Sequence, residues 1–107
     1  MPLNRLKHKF TKEVMWLYVL KLLEQRPMYG YELKDEIKSN FGWAPATVTS
    51  YVVLYKLESE GYVKTEVRQD KSNKSKRKYY LITDEGKELI VDGCKFIREM
   101  LEKLENC

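Results

Sequence analysis

Seven cations crowd a short stretch of this chain, Lys64, Arg68, Lys71, Lys74, Lys76, Arg77 and Lys78, and only Glu66 and Asp70 oppose them, leaving it net positive by five. The chemistry such a cluster offers is attraction for a polyanion. A segment this basic cannot pack into a core. Its flanks, Tyr62 to Val67 and Tyr79 to Ile82, are rich in β-branched and aromatic residues, which favour strands. The spacing predicts two short strands joined by a long basic turn, a hairpin protruding from a helical body. The plain alternative is a Lys/Ser/Asn turn that is only a solvated loop.

Other chemistry finds little support. The single histidine, His8, stands near the N-terminus, and no Ser-His-Asp set or glycine-rich phosphate loop occurs, so no catalytic site is expected. Cys94 and Cys107 stand on one predicted helix, separated by roughly 20 Å at helical rise, too far for a bridge within one chain. They read as free thiols of a reducing cytoplasm. With one histidine and no paired-cysteine spacing, neither a metal nor another cofactor is expected.

The elements that must position the basic stretch come from 107 residues, enough for one domain that buries a core yet gains from oligomerisation. The net charge of +4 is modest, but its distribution is not. Residues 84–107 hold seven acids and four bases, and residues 1–83 hold nine acids and sixteen bases. A positive body and a negative tail suggest one half facing a polyanion and another facing protein. The longest apolar run, Val14 to Leu20, is far shorter than the roughly eighteen residues a membrane span needs. It reads as a buried helix. No secretory pattern follows Arg5, Lys7 and Lys9, so a cytoplasmic location and no membrane partner are expected.

The order read from the sequence is helix, helix, helix, hairpin, helix. Residues 1–10 form a basic N-terminal segment. Thr11 is expected to cap a first helix running to about Arg26, where Pro27 stops it. A second, short helix follows Tyr29 and Gly30, with Leu33, Ile37 and Phe41 on one side, and ends near Gly42. Pro45 introduces a third helix, which Gly61 stops.

That third helix divides sharply when its residues are placed at 100° intervals. Ser50, Val53, Leu54 and Leu57 share one face, which is core. Val48, Thr49, Tyr51, Val52, Tyr55 and Lys56 cover the other, where a solvated helix would carry Glu, Lys and Gln. Hydroxyls, small apolar groups, tyrosines and a lysine suit the floor of a DNA major groove. With Thr47 at its start, this face and the basic hairpin make a winged helix-turn-helix over residues 11–83. The fold class expected is mainly α with a small β-hairpin, three helices and a two-stranded wing followed by a C-terminal helix. The double-stranded DNA interface is expected to comprise Thr47, Val48, Thr49, Tyr51, Val52, Lys56, Lys71, Lys74, Lys76, Arg77 and Lys78. The rival reading is a winged helix serving as a protein or RNA interaction module, with the valine and tyrosine face buried on a partner.

Pro27-Met28-Tyr29-Gly30-Tyr31-Glu32-Leu33, then Tyr51 with Leu54, Leu57, Glu58, Glu60 and Gly61, then Arg77 to Leu81 and Thr83-Asp84-Glu85-Gly86 follow one another in order. In this combination the chain resembles the PadR family of transcriptional regulators, over about residues 14–90. The resemblance implies a homodimer on operator DNA, usually a repressor, with the third helix in the major groove and the wing on the backbone or minor groove. It implies a phosphate-contacting role for Tyr51. Ser50 departs from the branched aliphatic that the family usually has there, and the short C-terminal part resembles the smaller branch.

Residues 84–107 read as one dimerisation helix capped by Thr83, with Asp84, Glu85 and Glu88 complementing its dipole. Leu89, Ile90, Gly93, Cys94, Phe96, Ile97, Met100, Leu101 and Leu104 form an apolar stripe that needs cover, expected from a second copy, the alternative being that it folds back onto its own domain. Trp16, Trp43 and the tyrosines could line an effector pocket between subunits, but aromatics on apolar faces read as core, so a small-molecule effector has no residue-level support.

Overall fold

The apolar run that begins at Val14 becomes the central helix. In the computed structural model, which describes residues 1–69 and 76–107, α2 (Met15–Gln25) buries Met15, Val19, Leu20, Leu22 and Leu23. A helix apolar on most sides must be covered on most sides. α3 (Gly30–Phe41) contributes Leu33 and Ile37, α4 (Thr47–Ser59) contributes Leu54 and Leu57, and α5 (Asp84–Glu105) contributes Ile90. Met28, Val63 and Tyr80 close the core from the sheet.

Local chemistry sets the breaks. Arg26 is extended (φ −170°, ψ 160°), as a residue before proline prefers, and α2 ends there. Gly42 takes φ 78° after α3 and Gly61 takes φ 83° after α4, both in the left-handed region open to glycine. After α4 the Tyr62 N–H donates to Leu57 O at 2.9 Å and the Gly61 N–H to Glu58 O at 3.1 Å, a Schellman closure that turns the chain straight into the sheet. Thr83 Oγ1 accepts from the Gly86 N–H at 3.1 Å and donates to Gly61 O at 2.7 Å, so one hydroxyl caps α5 and ties it to the end of α4.

β2 (Val63–Gln69) and β3 (Lys76–Ile82) pair antiparallel from Val63↔Ile82 to Gln69↔Lys76. Much of what the sequence suggests as a turn is therefore strand: Arg68, Lys76, Arg77 and Lys78 are all paired. Long cationic stems sit readily on an exposed ribbon while their charges stay in water. Lys71 and Lys74 lie outside the described residues.

Two further differences concern the N-terminal half. β1 (Met28–Tyr29) adds a third strand, with Met28↔Tyr80 and Tyr29↔Tyr79, giving the order β1-β3-β2. Two residues are too few to display a strand period. Residues 1–10 are not a bare basic segment, because α1 spans Pro2–Thr11. Thr11 ends this helix and does not cap α2: its hydroxyl donates back to Lys7 O at 2.7 Å and His8 O at 3.3 Å. Five helices therefore replace the expected four among the described residues.

Candidate nucleic-acid interface

α4 presents its two faces as the residue spacing predicts. Ser50, Leu54 and Leu57 are buried and Val53 is half-buried, whereas Val48, Thr49, Tyr51, Val52, Tyr55 and Lys56 are exposed. Val48 is 77% and Tyr55 71% accessible, unusual for apolar and aromatic residues on a helix that has a core available. Ser50 is accommodated because its hydroxyl donates to Ala46 O at 2.9 Å, so the small polar side chain enters the core satisfied. Thr47 differs from its neighbours. It is half-buried, and its hydroxyl accepts from Lys34 Nζ at 2.8 Å, which fastens the head of α4 to α3.

The wing has two chemically different faces, because directly paired residues of an antiparallel ribbon point the same way and alternate along it. Thr65, Val67, Lys78 and Tyr80 share the face on which Val63 and Tyr80 are buried, and Lys76 follows them by register. The opposite face carries a stack. Arg77 lies 4.4 Å over the Tyr29 ring, Tyr29 meets Tyr79 edge-on at 5.5 Å, and Arg68 lies 4.9 Å over Tyr79. Cation–aromatic contact holds two guanidinium groups in place, and Arg68 in addition donates to Glu66 Oε2 at 3.2 Å. The predicted wing cations are thus divided, Lys76 and Lys78 on one side and Arg77 on the other, with Arg68 joining Arg77.

α4 and the wing meet at a cleft of about 500 Å³ lined by Tyr29, Gly30, Tyr31, Tyr51, Arg77, Lys78 and Tyr80. Both Arg77 and Lys78 reach it. Burial, the largest influence, pushes the Tyr80 phenol up; Lys78 pulls it down, and Glu58 and Tyr51 push it further up. These four polar side chains therefore share one electrostatic neighbourhood. Tyr29, Gly30, Tyr31, Lys34, Glu58 and Arg68 were not among the predicted interface residues. Arg68 has a visible signal in its place among the seven cations, and Tyr29, Gly30, Tyr31 and Glu58 stand in the motifs that resemble the family, whereas Lys34 has none.

The apolar stripe on α5 is split. Ile90 is buried in the chain's own core, Leu89 and Cys94 pack against it, and a Cβ on Gly93 would lie 3.3 Å from the Trp16 ring. These four positions serve mainly the fold of their own chain. Ile97, Met100, Leu101 and Leu104 instead line an apolar groove of about 580 Å³ with Leu6 and Phe10 of α1 and Phe96. α1 itself buries no residue. Of the tryptophans, Trp16 packs on the core and Trp43 meets Tyr18 edge-on at 5.3 Å, while Cys94 and Cys107 are free thiols.

The profile of the Transcriptional regulator PadR-like family matches residues 19–91 of this chain. An uncharacterized protein from Lysinibacillus sphaericus is 32% identical over 89 residues, 81% of each chain. Bacillus subtilis PadR, solved in complex with operator DNA, is 28% identical with a TM-score of 0.69 over 76% of this chain and 46% of its own. A PadR family transcriptional regulator from Eggerthella lenta shares the fold at a TM-score of 0.82, with 24% identity over 97% of this chain and 89% of its own.

Proposed function

This chain belongs to the PadR-like family of transcriptional regulators, and on that premise we propose that it is a sequence-specific repressor that binds a palindromic operator as a homodimer in the cytoplasm. α4 enters the major groove, where Thr49 and the exposed Val48 and Val52 meet base edges and thymine methyls. Tyr51, Tyr55 and Lys56 reach phosphate oxygens, and the wing bases, including Lys71 and Lys74, follow the backbone or minor groove. Thr47 acts through its bond to Lys34, setting the height of the helix.

The observation that carries this reading is the exposed, unacidic face of α4 beside a cleft that both Arg77 and Lys78 line. A groove floor offers thymine methyls to valines that water does not favour and base edges to the hydroxyls. A structural relative bound to operator DNA supports the same use of the fold.

The homodimer reading rests on the groove between α1 and the distal half of α5. Leu3, Leu6, Phe10, Phe96, Leu101 and Leu104 are exposed along α1, which buries no residue, and along the distal half of α5. A patch of this kind on a small domain marks an interface, and an isologous contact covers both helices at once. Two copies of α4 then address successive major grooves about 34 Å apart. Gel shifts with mixed-sequence duplex and RNA at two salt concentrations test this function. Duplex DNA is expected to bind and to release steeply as salt rises, and RNA to bind less well because its deep major groove excludes a helix; equal binding of both would count against the groove reading.

A further inference from the structure

Glu58 sits near the end of α4 and serves both strands of the wing. One carboxylate oxygen accepts from Thr65 Oγ1 of β2 at 3.0 Å, and the other faces Lys78 Nζ of β3 at 3.5 Å. It stands one turn beyond the buried Leu54 and beside the buried Leu57, so its own backbone is held by the core. Thr65 and Lys78 belong to the same face of the ribbon, the one that also carries Tyr80. Lys78 in addition lies 5.7 Å over the Tyr80 ring. A single acid therefore links the groove-facing helix, both wing strands and a cation of the cleft.

Resting on the DNA-binding reading above, we propose that Glu58 is a positioning residue with a second, electrostatic role. By holding one contact on each strand it fixes the wing against α4, and by occupying Lys78 it withholds that cation from the phosphates of an arbitrary duplex. The Lys78 side chain is 51% and the Glu58 side chain 34% accessible, so the pair is open enough for a phosphate to compete for it. Correct seating of α4 brings a phosphate to the cleft and shifts Lys78 onto it. An incorrectly seated duplex leaves Lys78 with Glu58. The acid thereby raises the ratio of specific to unspecific binding.

The test uses the full chain, a duplex selected by the wild-type protein from a random pool, and a scrambled duplex. Glu58→Gln keeps an acceptor for Thr65 and removes the charge. It is expected to bind the scrambled duplex more tightly, to narrow the selected-to-scrambled ratio about tenfold, and to steepen the salt dependence of the scrambled duplex, but not of the selected one, by about one phosphate per protomer. Glu58→Gln combined with Lys78→Met is expected to lose that steepening, since the two substitutions act on one pair. Glu58→Ala removes both contacts, and in the free protein it is expected to speed amide hydrogen exchange in β2 and β3 but not in α5. Wild-type protein that binds duplex, with Glu58→Gln showing the same ratio and the same salt slope, overturns the role of Glu58. Unaltered exchange in Glu58→Ala overturns the fastening. Wild-type protein indifferent to every duplex overturns the DNA-binding reading itself.

Discussion

A Cβ added to Gly30 would lie 2.6 Å from the Tyr51 hydroxyl oxygen and 2.8 Å from the ring carbons beside it. The Tyr51 phenol of α4 thus rests directly against the backbone where α3 begins. Glycine is required there for clearance, and this contact aims Tyr51 into the cleft beside Arg77 and Lys78.

Gly30→Ala must displace Tyr51, because a contact this short cannot be absorbed by small adjustments. We expect duplex affinity to fall about tenfold but thermal stability to change little, since the outer end of the exposed Tyr51 side chain can swing away and Gly30 stands at the first position of α3, outside the helix interior where alanine gains over glycine. Tyr51→Phe keeps the ring in place and is expected to weaken binding less. Fluorescence anisotropy with a labelled duplex, set beside thermal melts, separates the two effects.

Thr47 and Thr49 are close in sequence but differ in task. Thr47→Val breaks the bond from Lys34 and is expected to lower stability by about 1 kcal/mol, with binding weakened evenly across sequences. Thr49 is exposed on the outer face, so Thr49→Ala is expected to leave the melt unchanged and to alter the order of preference among duplexes. Competition binding with a panel of single-base variants reads this directly.

Replacing Lys74, Lys76 and Arg77 together by Ala is expected to flatten the salt dependence without changing sequence preference. If the wild-type dimer neutralises about six to ten phosphates, its binding weakens about 10³- to 10⁵-fold between 50 and 200 mM salt. The triple variant should lose a large part of that slope. An unchanged slope would remove the wing from the mechanism.

Leu101→Glu places a charge in the groove shared by α1 and α5. We expect this variant to sediment as a monomer and to melt at a temperature that no longer depends on protein concentration. Ile90→Glu should instead unfold the chain, since Ile90 lies in its own core.

Burial pushes the Tyr80 phenol above its ordinary value of 10.0, partly opposed by Lys78, and burial alone does the same for Tyr18. Above the unfolded pKa the folded chain still holds protons that the unfolded chain has released. The stability tied to burying the neutral phenols is complete below about pH 10 and is lost as pH rises through the folded values. Tyr80→Phe is expected to move the alkaline unfolding midpoint upward, as followed by circular dichroism against pH.

Much of this arrangement was legible because it rests on local rules. The faces of α4 follow from its residue spacing, the breaks at Pro27, Gly42 and Gly61 from backbone chemistry, and the cap at Thr83 from its hydroxyl. What escaped depends on contacts distant in sequence. β1 exists because Met28 and Tyr29 pair with Tyr80 and Tyr79, and two residues carry no period of their own. The bases among residues 2–11 obscured the apolar side of α1, and Thr11 looked like a cap although its hydroxyl turns backward. Cations spread along Arg68 and Lys76 to Lys78 resembled a turn because their charge outweighed their strand pairing. Gly30, Lys34 and Glu58 gain their roles only from partners brought to them by the fold.

In the proposed complex, two copies of α4 read one duplex on a two-fold axis. Selection of bound sequences from a random duplex pool by the wild-type chain tests it most directly. The expected result is an enriched inverted repeat whose half-sites lie about one helical turn apart. Enrichment of an unsymmetrical site, or of none at low salt, would exclude this two-fold arrangement.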